Sequence, residues 1–465
     1  MKTTFTKESF FSVPKKDLFT FHERKDAFRL LTPEWYKIDV INTATTLKPS
    51  DELVRFNARF GPLKFPFAMK HTEYHPYDLF VDEQLKGLFS SWRHEHRCIE
   101  AGWDKDPASM LSDSIEYAHP LLFLFNPFVS QRLKKLFQYR HQITREEMMN
   151  LSAAQSEVKD ARIIVTGATG LIGKRIVQIL QEKGVRPIVF VRNPERAQKA
   201  LGSDVTLAKW DFSKPGKGDW QEQLANADGV IHLAGTPLFK QRWTSAFKEE
   251  MEKSRTESTT QLVDVIQSAP KKPKAFVSAS AVGIYGTDPS IEVDENSGYG
   301  DDLLSRICIN WEAASKKLET EGVRVVSMRI GVVLSKEAGA LRELLLPFYA
   351  GLGGTMGAPH HFMNWIHLED IARMFVMAVF NEEMSGPYNG VAPNPVYNKD
   401  FGKTLARVLK RPAFMKYPVS LLKLMIGEAG EYASGGPRVS SNRIQQAGYR
   451  FFFENLEDAL KNSLS

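Results

Sequence analysis

One glycine-rich segment, residues 166–173 (TGATGLIG), constrains the fold more than any other part of the chain. It follows a short apolar run (RIIV) that predicts a buried strand, and it precedes an amphipathic stretch (KRIVQILQEKG) that predicts a helix. Gly167 permits a tight turn, Gly170 lets the backbone approach a pyrophosphate, and Gly173 lets the helix pack close to the strand. The helix N-terminus adds free N–H groups and the positive end of a dipole. The segment therefore predicts a dinucleotide phosphate loop rather than a plain strand-to-helix turn.

An arginine at the end of the next predicted strand indicates which dinucleotide would bind. Arg192 lies 19 positions after Gly173, where an NAD site places Asp or Glu on the ribose 2′-hydroxyl. A guanidinium instead suits a 2′-phosphate, which it can hold through two hydrogen bonds. We therefore predict NADP(H) as the cofactor, a solvated arginine at a helix start being the alternative. The predicted cofactor contacts are Gly167, Thr169, Gly170, Leu171, Ile172, Gly173, Arg192, Asn193, Asp211, Phe212, Leu233, Ala234, Gly235 and Glu312.

The pattern along the chain predicts two domains, and 465 residues is too long for one compact core. Short apolar runs alternate with helical patterns along residues 161–465, which is typical of a Rossmann-type, doubly wound parallel α/β sheet. A small C-terminal substrate subdomain is expected to come mainly from residues 335–465. Residues 1–150 show period-2 stretches and then a helical pattern, which predicts a separate α+β domain. The small polar residues 151–160 predict a linker.

The composition excludes several classes of protein. The formal net charge is +6 over 465 residues, which is small for this length. The sequence lacks the dense cluster of basic residues that marks a nucleic-acid-binding surface, so no nucleic-acid partner is predicted. Two cysteines make no disulfide framework and indicate a reducing compartment. The N-terminus lacks the pattern of a secretory signal, and no stretch reaches the roughly 18 apolar residues of a membrane span. We therefore predict a cytoplasmic protein with no membrane span.

Several motifs together carry a family resemblance: TGATGLIG, IHLAGTPL, SASAVGIYG, WEAASKKLE, MRIGVVLS and MNWIHLEDIARMF. Through them, residues 161–465 resemble the extended or atypical short-chain dehydrogenase/reductase superfamily and its nucleoside-diphosphate-sugar-epimerase-like, NAD(P)-binding branch. RWT, CINWE and APNPV narrow the resemblance to one subfamily of that branch. The resemblance implies a Rossmann fold, oxidoreductase or isomerase chemistry on a small-molecule substrate of unknown identity, and is compatible with an oligomer.

Residues 1–150 carry a second resemblance, through HTEYHPYDLFVDEQLKGLFSSWRHEH and a closing helix that ends YRHQITREEM. They resemble the START/Bet v 1-like helix-grip domain, which implies an antiparallel sheet around a long helix and a cavity for an apolar ligand. Here His94, His96 and Cys98 alternate on one strand face, as metal ligands can. Because the spacing reveals no fourth ligand, we expect them to line the cavity and predict no metal site.

The catalytic residues of the resembled superfamily are incomplete in this chain. The resemblance implies a Tyr-x-x-x-Lys pair, in which Tyr transfers a proton and Lys lowers its pKa, together with a Ser or Thr. No tyrosine here is followed by lysine four positions later, and the matching helix positions hold Cys308 and Glu312. Ser280 matches the serine position, and Tyr285 follows it closely. We predict Ser280 and Tyr285 as catalytic candidates, with Glu312 on the cofactor ribose.

Three interpretations of the chemistry stay open. Tyr285 could act with Lys316 or Glu312 as its helper, or Cys308 could be a functional thiol, although buried cysteines are usually inert. The domain could instead bind NADP(H) without turnover, as a sensor or scaffold. Glu312 could also form only a surface pair with Lys316 one helical turn later. We therefore predict an NADP(H)-binding oxidoreductase or epimerase-like protein and leave open whether it is an enzyme.

Overall fold

The computed structural model divides the chain into two compact units, Met1–Ser156 and Glu157–Ser465. It describes residues 2–36, 38–60, 63–118, 122–155, 158, 160–214, 216–238, 241–432 and 435–464. Within these ranges, no helix has both the length and the apolar character that crossing a bilayer requires.

The first unit is an antiparallel sheet followed by a long helix. Its strands are β1 (Lys2–Phe11), β2 (Ile38–Asn42), β3 (Leu53–Phe60), β4 (Leu63–His75), β5 (Leu79–Lys86), β6 (Ser91–Trp103) and β7 (Asp106–Ala118). They pair antiparallel in the order β1-β7-β6-β5-β4-β3-β2. Its helices are α1 (Lys15–Glu23), α2 (Ala27–Leu30) and α3 (Leu122–Gln155), with a 3-10 turn at Glu34–Tyr36.

The alternation predicted for β6 is confirmed. His94, His96 and Cys98 are buried, and the residues between them are half-buried. Successive side chains of a strand point to opposite faces, so one face of β6 joins the core while the other meets solvent. Cys98 packs in an apolar cluster with Phe19 and Phe80.

The predicted linker needs a correction at its start. Residues 151–155 are not a linker, because α3 continues to Gln155. The small residues that suggested a linker include two alanines, and alanine is the best helix former. Extending an existing helix also needs no new nucleation, so helix continues where the sequence pattern suggested loop.

The second unit is a parallel α/β sheet, as predicted. Its strands are β8 (Ile163–Thr166), β9 (Ile188–Val191), β10 (Thr206–Lys209), β11 (Gly229–His232), β12 (Ala275–Ala281), β14 (Arg324–Ile330) and β19 (Gly386–Gly390), while β13 (Glu292–Val293) lies outside the sheet. The spatial order is β10-β9-β8-β11-β12-β14-β19. Because the order reverses between β8 and β11, a crevice opens there at the carboxyl ends of the strands.

Helices and short strands complete the second unit. The helices up to β14 are α4 (Leu171–Glu182), α5 (Pro194–Leu201), α6 (Asp219–Ala225), α7 (Ser245–Ser268) and α8 (Leu303–Lys316), with 3-10 turns at Val282–Tyr285 and Lys317–Glu321. Later helices are α9 (Ala340–Tyr349), α10 (Leu368–Phe380), α11 (Asn398–Leu409), α12 (Val419–Ile426), α13 (Ala429–Tyr432), α14 (Asn442–Gln446) and α15 (Leu456–Leu464). The remaining strands are β15 (Val332–Leu334), β16 (Gly354–Met356), β17 (Phe362–Met363), β18 (Trp365–His367), β20 (Val396–Tyr397), β21 (Met415–Tyr417), β22 (Arg438–Val439) and β23 (Tyr449–Arg450).

Candidate functional site

The glycine loop joins β8 to α4, and its glycines have steric reasons to be glycine. Gly167 has φ +67°, and a Cβ there would lie 2.8 Å from the carbonyl oxygen of Leu233. A Cβ on Gly173 would overlap the carbonyl oxygen of Gly167. Gly170 is the N-cap of α4, so the free N–H groups of the first turn follow it directly. The loop thus presents unbonded donors and a positive helix end to the crevice.

A buried histidine fixes the floor of this crevice. The Thr166 hydroxyl donates to Nδ1 of His232 at 2.8 Å and accepts the N–H groups of Leu233 and Ala234. On the other side of the ring, Nε2 of His232 lies 3.0 Å from the Thr259 hydroxyl, which itself donates to a backbone carbonyl. Nε2 must therefore carry the ring proton. Burial lowers the pKa of His232 to about 3, so the ring is neutral at physiological pH.

Arg192 and Asn193, two of the predicted cofactor contacts, differ in whether their side chains are already hydrogen-bonded. Arg192 is exposed immediately after β9, and no described residue forms a hydrogen bond or ion pair with its guanidinium. Asn193 caps α5 by accepting the N–H of Arg196 at 2.9 Å. Its side chain is therefore occupied in a helix cap, whereas the Arg192 guanidinium is open to a ligand.

Asp211 and Phe212, predicted as cofactor contacts, follow β10, which ends at Lys209. The Asp211 carboxylate instead accepts the N–H and hydroxyl of Ser213, as in an Asx turn. Phe212 is partly buried against the core beneath the sheet. Asp and Ser side chains can form hydrogen bonds with nearby backbone groups, which favours such local turns over a strand. The apolar pattern alone did not reveal this turn.

At the ends of β12, β14 and β19 lies a polar group that we call the Arg329 cluster: Ser280, Tyr285, Glu312, Arg329 and Asn389. The parallel register places Ser280, Arg329 and Asn389 in one row across three strands. Glu312 reaches the row from α8, and Tyr285 reaches it from the 3-10 turn after β12.

Arg329 is the centre of the cluster. Its Nε and Nη2 each donate to a different oxygen of Glu312 at 2.9 Å, a bidentate pair. Its Nη1 donates to the Tyr285 hydroxyl at 2.8 Å, and that hydroxyl donates to Oδ1 of Asn389 at 2.7 Å. Ser280 donates to Glu312 at 2.6 Å. The cluster is therefore a continuous network with Arg329 fully buried at its centre.

These contacts revise the sequence-based roles. Tyr285 is buried, which raises the pKa of its phenol to about 12, and its hydroxyl is already engaged on both sides. Burial likewise raises the pKa of the Cys308 thiol to about 12, so a reactive thiol is not favoured there. Among the described ion pairs, Glu312 pairs with Arg329 and not with Lys316. The sequence pattern missed this role of Arg329, because the contact depends on strand register, which sets the position of Arg329, and on the path of α8, which carries Glu312.

Comparison with known proteins places the chain in a family. Residues 163–389 match the NAD dependent epimerase/dehydratase family, and residues 417–463 match a domain of unknown function, DUF1731. The epimerase family protein SDR39U1 homolog, chloroplastic, of Arabidopsis thaliana is 34% identical over 320 residues, covering 67% of this chain and 89% of the relative. The chain belongs to this epimerase family. The epimerase family protein YfhF of Bacillus subtilis is 36% identical over 306 residues, covering 65% of this chain and 98% of that relative.

Two solved structures resemble this epimerase-family chain. Human epimerase family protein SDR39U1, crystallised with NADPH, has a TM-score of 0.57 at 33% identity and covers 64% of this chain and 98% of its own. A nucleoside-diphosphate sugar epimerase from Corynebacterium glutamicum has a TM-score of 0.57 at 25% identity, covering 99% of this chain and 90% of its own. The second likeness extends over both units.

Proposed function

We propose that the second unit binds NADP(H), with the pyrophosphate at the N-terminus of α4. The observation that carries this proposal is the geometry of the glycine loop, where Gly167 and Gly173 sit too close to neighbouring backbone for any side chain. The similar human protein was crystallised with NADPH, which supports the same cofactor here. The predicted contacts from Gly167 to Gly173, with Leu233, Ala234 and Gly235 across the crevice, remain part of the proposal.

Arg192 is the proposed selector of NADP(H) over NAD(H). It follows β9, the strand next to β8, and its guanidinium is exposed. A bidentate contact with the 2′-phosphate joins two full charges, and hydrogen bonds to charged groups contribute about 1.5–3 kcal/mol. Replacing Arg192 should therefore weaken NADPH binding by about 10–100-fold, because each 1.4 kcal/mol is a factor of ten.

Calorimetric titration of the full chain with NADPH and NADH tests this assignment. Arg192→Ala should lower the affinity for NADPH alone and leave the weaker NADH binding unchanged. Lys199→Ala removes another exposed positive charge, from α5, and serves as the matched control. An equal loss for both cofactors in Arg192→Ala, or an equal effect of the Lys199 change, would refute the proposed role of Arg192.

A second proposal is turnover of a small molecule, as an oxidoreductase or epimerase, at the Arg329 cluster. Ser280 and the half-buried Glu312 lie at the carboxyl ends of the central strands, where such a substrate would meet the cofactor. Tyr285 is better placed to hold Arg329 than to donate a proton. The non-catalytic alternative, a sensor or scaffold, is favoured by the way both Glu312 oxygens are already bonded.

Turnover separates these alternatives. NADPH oxidation by the full chain against a broad panel of carbonyl compounds should be abolished in Ser280→Ala if the cluster is catalytic. Failure of the unsubstituted chain to oxidise NADPH that it demonstrably binds would favour the sensor.

The first unit is proposed to be a START/Bet v 1-like helix-grip domain. An antiparallel sheet followed by the long helix α3, which packs against β1, supports this proposal. A cavity of about 110 Å³ in this unit has both aromatic and ionisable residues in its wall. Native mass spectrometry of the full chain should reveal a co-purified apolar ligand, and a chain that is consistently empty would count against an apolar-ligand role.

A further inference from the structure

The first unit contains a histidine–aspartate cluster, buried except for the partly exposed Asp82: His71 on β4, Asp82 on β5, His94 and His96 on β6, Asp113 on β7 and His141 on α3. The strand register brings these residues together. Asp82 lies opposite both His71 and His94, and Asp113 lies opposite His96. Residues opposite one another on neighbouring strands share a face, so their side chains converge on one side of the sheet.

Three members are spaced as ligands of one ion. Oδ2 of Asp82 lies 3.2 Å from Nε2 of His96 and 3.7 Å from Nδ1 of His94. One donor atom from each of the three residues lies within 4.8 Å of the others. Two ligands of a tetrahedral Zn²⁺ ion, at bond lengths of about 2.0–2.1 Å, are about 3.4 Å apart. The observed spacings bracket that distance.

Asp113 forms hydrogen bonds with two of the histidine rings. Its carboxylate lies 3.2 Å from Nε2 of His94 and 2.7 Å from Nε2 of His141. With the His94 ring proton on Nε2 and donated to Asp113, Nδ1 carries a lone pair on the side of Asp82. A carboxylate that accepts the second ring N–H of a metal-bound histidine is the usual arrangement of metal sites.

The hydrogen bonds within the cluster leave some of its ring nitrogens without a partner. Among the described residues, Nδ1 of His71, His96 and His141 is buried with no hydrogen-bond partner. Nδ1 of His71 lies 2.6 Å from Asp82, and Nδ1 of His96 lies 2.5 Å from Asp113, but out of line for a hydrogen bond. Buried polar atoms without partners cost about 1–3 kcal/mol each. These nitrogens are not the atoms that would bind an ion, and two of them face a carboxylate oxygen. The reason to expect a cation is the presence of two carboxylates among the imidazoles of one cluster.

One side of the cluster is open. His71, Asp82 and His96 form part of the wall of the cavity of about 110 Å³, together with Phe80 and Arg140. A single water needs about 10–15 Å³, so the cavity has room for a water or a small anion beside an ion. Structural zinc sites are closed by four protein ligands, whereas sites that exchange ligands keep a position open.

We propose that Asp82, His94 and His96 bind one divalent transition-metal ion, with Zn²⁺ as the reference ion, and that the fourth position faces the cavity. Two imidazoles and one carboxylate suit Zn²⁺ and the neighbouring first-row ions better than Mg²⁺ or Ca²⁺. The sequence suggested no metal, because a further ligand was not evident from spacing. Asp82 supplies that ligand from the neighbouring strand, and Cys98 does not, since it packs in the apolar cluster.

The test uses the tag-free full chain, stripped with EDTA and titrated with Zn²⁺ by calorimetry and with Co²⁺ by visible absorption. We expect one ion per chain and the intense d–d bands of a four- or five-coordinate Co²⁺. His94→Gln and Asp82→Asn should lose binding, whereas Asp113→Asn should weaken it by about 10–100-fold. His75→Gln, which replaces an exposed histidine at the end of β4, should bind as the unsubstituted chain does.

Circular dichroism and NADPH binding, measured on each variant, show that the chain is folded. Absence of Zn²⁺ and Co²⁺ binding in the unsubstituted chain would overturn the proposal. Binding that survives in both His94→Gln and Asp82→Asn, or that disappears in His75→Gln, would overturn it equally. Since Asp82→Asn is nearly isosteric, a folded variant without metal binding assigns the loss to the missing charge.

Discussion

Two buried polar clusters, one in each unit, are satisfied to different degrees. In the Arg329 cluster, the guanidinium donates both to the Glu312 carboxylate and to the Tyr285 hydroxyl. In the histidine–aspartate cluster, three ring nitrogens are buried without a hydrogen-bond partner in the described part of the chain. A buried polar network whose members are all satisfied specifies a unique fold, whereas a buried polar group without a hydrogen-bond partner requires an explanation, such as a bound ion. Four experiments can break or sharpen this contrast.

The largest expected effect is on the closed cluster. Arg329→Met leaves the half-buried Glu312 without its cationic partner and should destabilise the second unit by up to about 3–5 kcal/mol, the usual cost of breaking a buried pair. In metal-free protein, His94→Gln keeps an amide that can donate to Asp113 and should cost the first unit no more than about 1.5 kcal/mol. Hydrogen exchange of peptides from each unit measures both losses separately.

A double replacement is the control for this comparison. Arg329→Met combined with Glu312→Met removes both charges, and apolar replacement of a whole buried pair is often neutral. The double variant should therefore recover most of the lost protection. Similar losses for Arg329→Met and His94→Gln would erase the distinction between the clusters.

The next largest expected effect is the stabilisation of each unit by its own ligand. A ligand at 100 times its Kd stabilises the state that binds it by about 2.7 kcal/mol. Zn²⁺ should therefore increase exchange protection around β5 and β6, and NADPH around the glycine loop. If Zn²⁺ protected the glycine loop and left β5 and β6 unchanged, the open cluster would not be its site.

A smaller effect is expected for Tyr285→Phe. The change removes the hydroxyl that bridges Arg329 and Asn389, and two lost hydrogen bonds should cost about 1–3 kcal/mol. Thermal unfolding measures the loss, and the Kd for NADPH should stay unchanged. A normal melting curve combined with lost turnover would instead make Tyr285 a catalytic residue.

The smallest effect is expected from thiol chemistry. Burial raises the pKa of Cys308 to about 12 and that of Cys98 further above its usual value, so the folded chain holds two unreactive thiols. Iodoacetamide at pH 8 should label neither cysteine within minutes, and both after unfolding in guanidinium chloride. Rapid labelling of Cys308 in the folded chain would show that the Arg329 cluster opens.

The sequence was enough to predict features that depend on neighbouring residues. The glycine loop, the parallel sheet and the alternation in β6 all follow from local spacing, and the structure has them. The Ser280–Glu312 and Arg329–Glu312 contacts join residues 32 and 17 positions apart, and they depend on strand register and on the path of α8. Asp82 was missed for the same reason, since its link to His94 is a cross-strand pairing that spacing does not encode.

The histidine beneath the glycine loop sets an acid limit on the crevice. His232 has an ordinary pKa of 6.5, which burial lowers to about 3 in the folded chain. Between these pH values His232 is protonated in the unfolded chain and neutral in the folded chain. The free energy of unfolding therefore falls by about 1.4 kcal/mol for each pH unit of acidification. This loss of stability begins near pH 6.5, grows steadily as the pH falls, and is complete near pH 3. The hydrogen bonds of this ring to Thr166 and Thr259 therefore stabilise the floor of the crevice at neutral pH, and acid weakens that stabilisation.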